Sequence, residues 1–158
     1  MNQPEILIVG AGGMGALFGS ILHENGLKVV LYDTNTEHIR AIQQAGLKIE
    51  GYGGDRTIPI AATSNLSELE SAEIIIFQCK SHGTRQAAKA VKPLITQESV
   101  CISFQNGLGN EEVMAEELGN DFVMGGLTAM AGVLLEPGKI RDFSRVPSHI
   151  GEMRGGIS

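Results

Sequence analysis

The feature that most constrains the fold is a group of closely spaced glycines between an apolar run and an amphipathic segment. The run Ile6–Val9 has the composition of a buried strand, and the residues after the glycines repeat apolar side chains at helical spacing. Between them stands Gly10-Ala11-Gly12-Gly13-Met14-Gly15, which fits the pattern G-x-G-x-x-G. Such a loop is typical of a nucleotide-binding βαβ unit, because Gly12 lets the backbone approach a pyrophosphate and the helix start offers free N–H groups. We therefore predict that these six residues bind a dinucleotide; the alternative is a glycine-rich turn without a ligand.

Strands and helices alternate along residues 5–118. Apolar runs predict strands, and the segments between them with helical spacing predict helices. The predicted strands are Glu5–Gly10, Leu27–Tyr32, Ile74–Cys79 and Val100–Phe104, and the predicted helices span 13–25, 36–44, 84–92 and 110–118. This order predicts an α/β fold with a Rossmann-type, doubly wound, mostly parallel sheet. We expect the 158 residues to form one dinucleotide-binding domain.

Two parts of the sequence depart from this alternation. Leu47–Glu50 and Thr57–Ala61 flank a glycine-rich turn and predict a hairpin. We place this hairpin at the periphery of the sheet, because Pro59 cannot donate to a central ladder. From Phe122 onward, short apolar runs separated by Gly and Pro predict a strand-rich C-terminal portion.

Composition and charge exclude several classes of protein. The chain has 12 Lys and Arg against 18 Asp and Glu, a net charge of −6, and no basic cluster, so we expect no nucleic-acid partner. No apolar run is long enough to span a bilayer, and the first residues lack the pattern of a secretory signal. Cys79 and Cys101 lie in or beside apolar runs, as in proteins of a reducing compartment, and we expect a cytoplasmic location. The histidines and cysteines lack the spacing of metal ligands, and we expect no metal site.

Asp33 is the candidate for choosing between the two nicotinamide dinucleotides. It ends the second predicted strand, where a carboxylate accepts hydrogen bonds from the ribose hydroxyls of adenosine. Its charge repels a 2′-phosphate, so Asp33 favours NAD(H) over NADP(H). Two alternatives stay open: Asp33 is a residue type that caps helices, like the three polar residues after it, and Arg40 is near enough in the sequence to reach a phosphate.

Polar residues also follow the third and fourth long strands of the predicted sheet. Lys80 comes directly after Ile74–Cys79, and Asn106 follows Val100–Phe104. Because ligands bind outside the carboxyl ends of parallel strands, we expect Lys80 and Asn106 to face the same crevice as the glycine loop. The alternatives are an ordinary exposed lysine and an Asn-Gly turn. His82, in the same stretch, is more simply a loop histidine than a catalytic acid.

Several segments together resemble the N-terminal half of the ketopantoate reductase (2-dehydropantoate 2-reductase) family, and the resemblance covers essentially the whole chain. Its most specific part is Asn-Gly-x-Gly-x-Glu, at residues 106–111. The matching segments are Ile6–Gly15, Cys79-Lys80-Ser81, Gln105–Glu111, Val123–Ala129, Pro137–Ile140 and Ile150-Gly151-Glu152.

The resemblance implies a two-domain reductase that passes a hydride from a nicotinamide cofactor, NADP(H) in most of the family, to the ketone of a small 2-oxo acid. The substrate would be ketopantoate and the product pantoate, a D-2-hydroxy acid. By the same resemblance, Lys80 contacts the nicotinamide ribose and the substrate, Asn106 orients the nicotinamide or the substrate, and Thr128 lines the crevice.

The sequence departs from the family pattern in two places. An arginine that holds the 2′-phosphate of NADPH is expected after the second strand, where this chain has Asp33-Thr34. The family's proton-donating lysine belongs to a helical C-terminal domain, which we expect to begin where this sequence stops. We therefore expect these 158 residues to bind nucleotide, to be inactive alone, and to self-associate through the surface that meets the helical domain. The alternatives are an NAD-dependent D-2-hydroxy acid dehydrogenase relative and a non-catalytic nucleotide-sensing Rossmann module.

Overall fold

The computed structural model describes residues 3–153, which contain eleven strands and four α-helices. The helices are α1 (Gly13–Glu24), α2 (Thr36–Ala45), α3 (Thr84–Val91) and α4 (Asn110–Leu118). The strands are β1 (Ile6–Val9), β2 (Val29–Tyr32), β3 (Leu47–Gly51), β4 (Arg56–Ile58), β5 (Ala61–Thr63), β6 (Ile74–Phe77), β7 (Val100–Ser103), β8 (Val123–Leu127), β9 (Ala131–Glu136), β10 (Lys139–Ser144) and β11 (His149–Glu152).

The main sheet confirms the predicted Rossmann-type architecture. Its seven strands have the order β11-β8-β7-β6-β1-β2-β5. All neighbouring pairs are parallel except β11 and β8, which are antiparallel. The chain moves outward from β1 in one direction through β2 and β5, and in the other through β6, β7 and β8. The two directions meet between β1 and β6, which is where a doubly wound sheet binds its ligands.

Apolar residues of the main sheet point alternately to its two faces, and each face is covered by two helices. Ile6 and Ile8 of β1 belong to a core layer with residues of α1 and α2, whereas Leu7 and Val9 belong to a second layer with residues of α3 and α4. Because both faces are covered, β1 is buried along its whole length. This explains why its sequence is continuously apolar instead of alternating.

The predicted hairpin forms, but its expected position at the edge of the main sheet is wrong. β3 and β4 pair antiparallel and belong to a separate four-stranded sheet of order β4-β3-β10-β9. Ile49 of β3 and Ile140 of β10 are buried in the layer that contains α1 and α2, so this second sheet covers those helices from outside. The predicted strand Thr57–Ala61 is also interrupted at Pro59. β4 ends at Ile58, and β5 begins at Ala61 at the edge of the main sheet.

Two strands of the main sheet, β6 and β7, end earlier than predicted. β6 ends at Phe77 and β7 ends at Ser103, so Gln78, Cys79 and Phe104 lie in the loops that follow. The predicted helix 110–118 matches α4. None of the helices within residues 3–153 combines the length and the apolar character needed to cross a bilayer.

Candidate functional site

A cleft of about 670 Å³ opens at the carboxyl ends of β1, β2 and β6. It is lined by residues that the sequence singled out, Gly10, Gly12, Asp33 and Lys80, and by others that it did not, such as Gln78. The cleft therefore lies at the point where the two directions of the main sheet meet. Asn106 and Thr128 are outside its lining, beyond the ends of β7 and β8.

The three glycines of the G-x-G-x-x-G pattern are required for different reasons. Gly10 has φ +98°, and a Cβ there would lie 2.5 Å from the backbone nitrogen of Cys79. A Cβ at Gly15 would overlap the carbonyl oxygen of Gly10, so α1 packs on the loop too closely for any side chain. Gly12 differs from both, because its φ is −62° and a Cβ there would meet no atom within 4 Å. The fold requires glycine at 10 and 15, whereas at 12 the structure leaves open space in the cleft.

At the other positions of the glycine loop, the side chain or the space for one is taken up by packing within the protein. Ala11 is fully buried, and Met14 is half-buried against the layer of α1 and α2. A Cβ at Gly13 would lie 2.5 Å from the Cα of Val133, so β9 passes directly beside the start of α1. The requirement for glycine at 13 therefore comes from a strand 120 positions away, which no local pattern signals.

His38 connects the glycine loop to the second sheet. Its Nδ1 accepts a hydrogen bond from the backbone N–H of Gly138 at 2.9 Å, and its Nε2 lies 2.8 Å from the carbonyl oxygen of Ala11. Since a backbone N–H can only donate, Nδ1 is the acceptor and Nε2 carries the proton that it donates to Ala11. This buried, neutral histidine holds the loop against the turn between β9 and β10. Sequence reasoning missed it.

Asp33 lies in the cleft and does not cap α2. Its Oδ1 accepts a hydrogen bond from the backbone N–H of Asn35 at 2.8 Å. The N-cap of α2 is Asn35, whose side chain accepts from the N–H of His38. The interpretation of Asp33 as the helix cap is therefore wrong. Arg40 is exposed on α2 and does not line the cleft.

Lys80 and Asn106 are brought close together by the loops that carry them. Both side chains are exposed. The hydroxyl of Ser81 donates a hydrogen bond to the carbonyl oxygen of Asn106 at 3.0 Å, which joins the loop after β6 to the loop after β7. Thr128 follows β8, the next strand along, and its Oγ1 accepts from the hydroxyl of Ser148 at 2.9 Å.

A chain of buried polar side chains beneath these loops fixes their positions. The amide nitrogen of Gln105 donates to the carbonyl oxygen of Cys79 and to the hydroxyl of Thr84, both at 2.8 Å. Thr84 donates in turn to Oδ1 of Asn110 at 2.9 Å, and the amide nitrogen of Asn110 donates to the carbonyl oxygen of Asn106 at 3.1 Å. Satisfied networks of this kind rigidify the backbone that they join. The exposed side chains of Lys80 and Asn106 are therefore attached to backbone that this network holds in place.

The chemistry of the remaining cleft residues is limited. Burial raises the pKa of the Cys79 thiol, which keeps it protonated and unreactive at neutral pH. Within the described part of the chain, no three His, Cys, Asp or Glu side chains are grouped as metal ligands would be. α1 has no acidic residue in its first turn, so its N-terminal N–H groups face the cleft without a competing carboxylate.

The comparisons with known proteins fit this geometry. A family model described as ketopantoate reductase PanE/ApbA matches residues 6–155. The chain belongs to the ketopantoate reductase family. This confirms the resemblance drawn from the glycine loop and from residues 106–111.

Individual relatives agree with the family assignment. A 2-dehydropantoate 2-reductase of Pyrococcus abyssi is 35% identical over 137 residues, which is 87% of this chain and 44% of the relative. The crystal structure of 2-dehydropantoate 2-reductase from Geobacter metallireducens superposes with a TM-score of 0.89 at 27% identity, covering 97% of this chain and 50% of that one. A structure of D-mandelate dehydrogenase with NADH and anilino(oxo)acetate gives a TM-score of 0.81 at 25% identity, covering 92% and 46%. The chain spans about half the length of the curated relatives that it matches.

Proposed function

We propose that the cleft binds a nicotinamide dinucleotide and that these residues form the nucleotide-binding part of a reductase that acts on 2-oxo acids. The observation that carries the proposal is the open space at Gly12, where a Cβ would meet no protein atom although the rest of the loop is closely packed. A glycine that its own fold does not require is accounted for by a ligand that approaches its backbone. The same space is bordered by the start of α1, whose N–H groups attract a pyrophosphate.

The distribution of polar groups along the sheet edge suits an extended ligand. From Asp33 at the end of β2 to Thr128 at the end of β8, the sheet advances by four strand spacings, or about 19 Å. Asp33 lies on one side of the glycine loop and would bind the adenosine ribose. Lys80, Asn106 and Thr128 lie on the other side, where the nicotinamide and the substrate would be held.

The chemistry of the site divides between the cofactor and the protein. A bound NAD(P)H supplies the hydride. The ammonium group of Lys80 places a positive charge beside the 2-oxo acid, where it pairs with the carboxylate or with the negative charge that develops on the ketone oxygen. The amide of Asn106 orients the nicotinamide or the substrate, and the buried network beneath both residues keeps them in place.

The lining of the cleft favours NADH over NADPH. Among the residues of 3–153 that line it, Lys80 is the one lysine or arginine, and it lies on the side of the glycine loop away from Asp33. No lysine or arginine of the described lining is therefore placed beside the Asp33 carboxylate to bind a 2′-phosphate. This observation also favours a second candidate function, an NAD-dependent D-2-hydroxy acid dehydrogenase, a group to which the NADH-bound D-mandelate dehydrogenase structure belongs by name.

A mixing experiment tests the proposal. The purified chain is combined with NADH or NADPH and then with ketopantoate or an aryl 2-oxo acid, while the absorbance of the reduced nicotinamide and its fluorescence are followed. The chain has no tryptophan, so nicotinamide fluorescence is observed without that background. We expect nucleotide binding without turnover. Rapid turnover of a 2-oxo acid would contradict the assignment of these residues to nucleotide binding alone, and failure to bind either nucleotide would contradict the whole proposal.

A further inference from the structure

Gln78 is a residue of the cleft lining whose side-chain amide nitrogen is buried without a hydrogen-bond partner among the described residues. It directly follows β6, and its backbone N–H donates to the carbonyl oxygen of Val9 at 2.8 Å, which fixes its position beside β1. Gln78 is among the residues that line the cleft. The amide nitrogen Nε2 is buried, and within the described residues it has no hydrogen-bond partner.

A buried amide N–H without an acceptor destabilises the folded protein, because it has lost its hydrogen bonds to water and has formed none in exchange. The polar side chains packed nearby are satisfied, as Gln105 shows with two acceptors for one amide nitrogen. The other buried atoms without a partner, Oδ1 of Asp142 and Nη2 of Arg145, lie outside the cleft lining. Gln78 is thus the one residue of the described cleft lining that carries such an unfilled donor, which points to an acceptor that the protein itself does not supply.

The surroundings of Gln78 indicate which part of a ligand it meets. A Cβ on Gly10 would lie 2.8 Å from the carbonyl carbon of Gln78, so the glycine loop and the loop after β6 touch at this point. The open space at Gly12 is on the same cleft, between the loop and α1. Gln78, between the ends of β1 and β6, lies beside the middle of a ligand that extends from Asp33 toward Lys80. In a dinucleotide the middle is the pyrophosphate, whose oxygens are acceptors.

We propose that the carboxamide of Gln78 rotates when a dinucleotide binds, so that its amide nitrogen leaves its buried position and donates a hydrogen bond to a pyrophosphate oxygen. The proposal rests on the proposed function, because it requires a dinucleotide in the cleft. It also predicts a cost to the free protein, since the donor stays unfilled until the ligand binds.

Two substitutions at Gln78 test the proposal. Gln78→Met keeps the size of the side chain and removes the amide, whereas Gln78→Glu keeps the acceptor oxygen, replaces the donor nitrogen with a second oxygen and adds a negative charge. Gln44→Met is the matched control, because Gln44 is exposed on α2 away from the cleft. Dissociation constants for NADH and for ADP-ribose are measured by calorimetry, and the melting temperature is measured without nucleotide.

We expect Gln78→Met to weaken binding of NADH and ADP-ribose equally, by about 10- to 150-fold, as for a hydrogen bond to a charged group. Gln78→Glu should weaken both further. Without nucleotide, Gln78→Met should melt at the wild-type temperature or about 2–4 °C higher, because an unfilled donor has been removed. A residue with only a structural role would instead lower the melting temperature.

Three results would overturn the proposal: unchanged affinity in Gln78→Met, a loss confined to NADH that spares ADP-ribose, or a loss no larger than that of Gln44→Met. Each of these is meaningful only if the wild-type chain binds NADH. Absence of wild-type binding contradicts the proposed function itself, so the two failures are distinguishable.

Discussion

The substitution Gly12→Ala separates the requirements of the fold from those of the ligand. Gly12 has φ −62°, which any residue adopts, and the added methyl group would meet no protein atom within 4 Å. Alanine at a compatible backbone conformation stabilises a protein by about 0.4–1 kcal/mol through the unfolded state. At the N-cap of α1 it loses up to about 1 kcal/mol relative to glycine. The two effects nearly cancel, and we expect a melting temperature within about 2–4 °C of wild type.

The effect on nucleotide binding should be far larger. The methyl group occupies the part of the cleft where a pyrophosphate would contact the first N–H groups of α1, and it displaces the phosphates from them. Each lost hydrogen bond to a charged phosphate costs about 1.5–3 kcal/mol. Loss of one such bond weakens NADH binding by about 10- to 150-fold.

The assay is a calorimetric titration with NADH, paired with thermal unfolding of the same samples. Gly151→Ala is the matched control, because a Cβ there also meets no atom within 4 Å and Gly151 is exposed on β11. Gly10→Ala should lose the fold, since its Cβ would lie 2.5 Å from the Cys79 backbone. If a folded Gly12→Ala variant binds NADH as tightly as wild type, the space at Gly12 is not occupied by the nucleotide.

Three further predictions concern selectivity, the buried network and acid stability. Asp33→Ser should raise the affinity for NADPH relative to NADH by about 10-fold or more in parallel titrations, because a carboxylate no longer faces the 2′-phosphate; an unchanged ratio would contradict the ribose role. Thr84→Val breaks the chain from Gln105 to Asn110 and should cost about 1–3 kcal/mol in denaturant unfolding, with Thr84→Ser close to wild type; equal losses in both variants would exclude the network as the cause. The side-chain hydrogen bond from Arg56 lowers the pKa of Glu24. The pair therefore stabilises the fold at pH values above the ordinary glutamate pKa of about 4.3. This stabilisation is lost as the pH falls through the lower pKa of Glu24 in the folded protein. Glu24→Gln should therefore cost about 0.5–1 kcal/mol at pH 7 and progressively less as the pH falls below the ordinary glutamate pKa, and a loss that does not depend on pH would exclude the ion pair.

Local sequence signals were sufficient to predict the main sheet and to place Gly10, Gly12, Asp33 and Lys80 at the cleft. The run before Gly10 is continuously apolar because β1 is covered on both faces, and that property alone marks a central strand. The order of strands and helices then places Asp33, Lys80 and Asn106 at one edge of the sheet, because parallel strands share their carboxyl ends. These inferences need no contact between distant segments.

The second sheet and its effects on the site could not be predicted in this way. β3 pairs with β10, about 90 positions later, and the local pattern of a hairpin carries no information about that partner. For the same reason, the contact of β9 with Gly13 and the two hydrogen bonds of His38 were missed. Gln78 was missed for a different reason. The sequence pattern places it inside the predicted strand Ile74–Cys79, and only the early end of β6 at Phe77 places it in the cleft.

The most direct test of the account is a parallel titration of the purified chain with NADH and NADPH. We expect NADH to bind, NADPH to bind more weakly, and Gly12→Ala to weaken NADH binding without loss of the fold. Tighter binding of NADPH would contradict the role given to Asp33 and leave the cleft assignment intact. Binding of neither nucleotide to the folded chain would contradict the central claim that the space at Gly12 belongs to a dinucleotide.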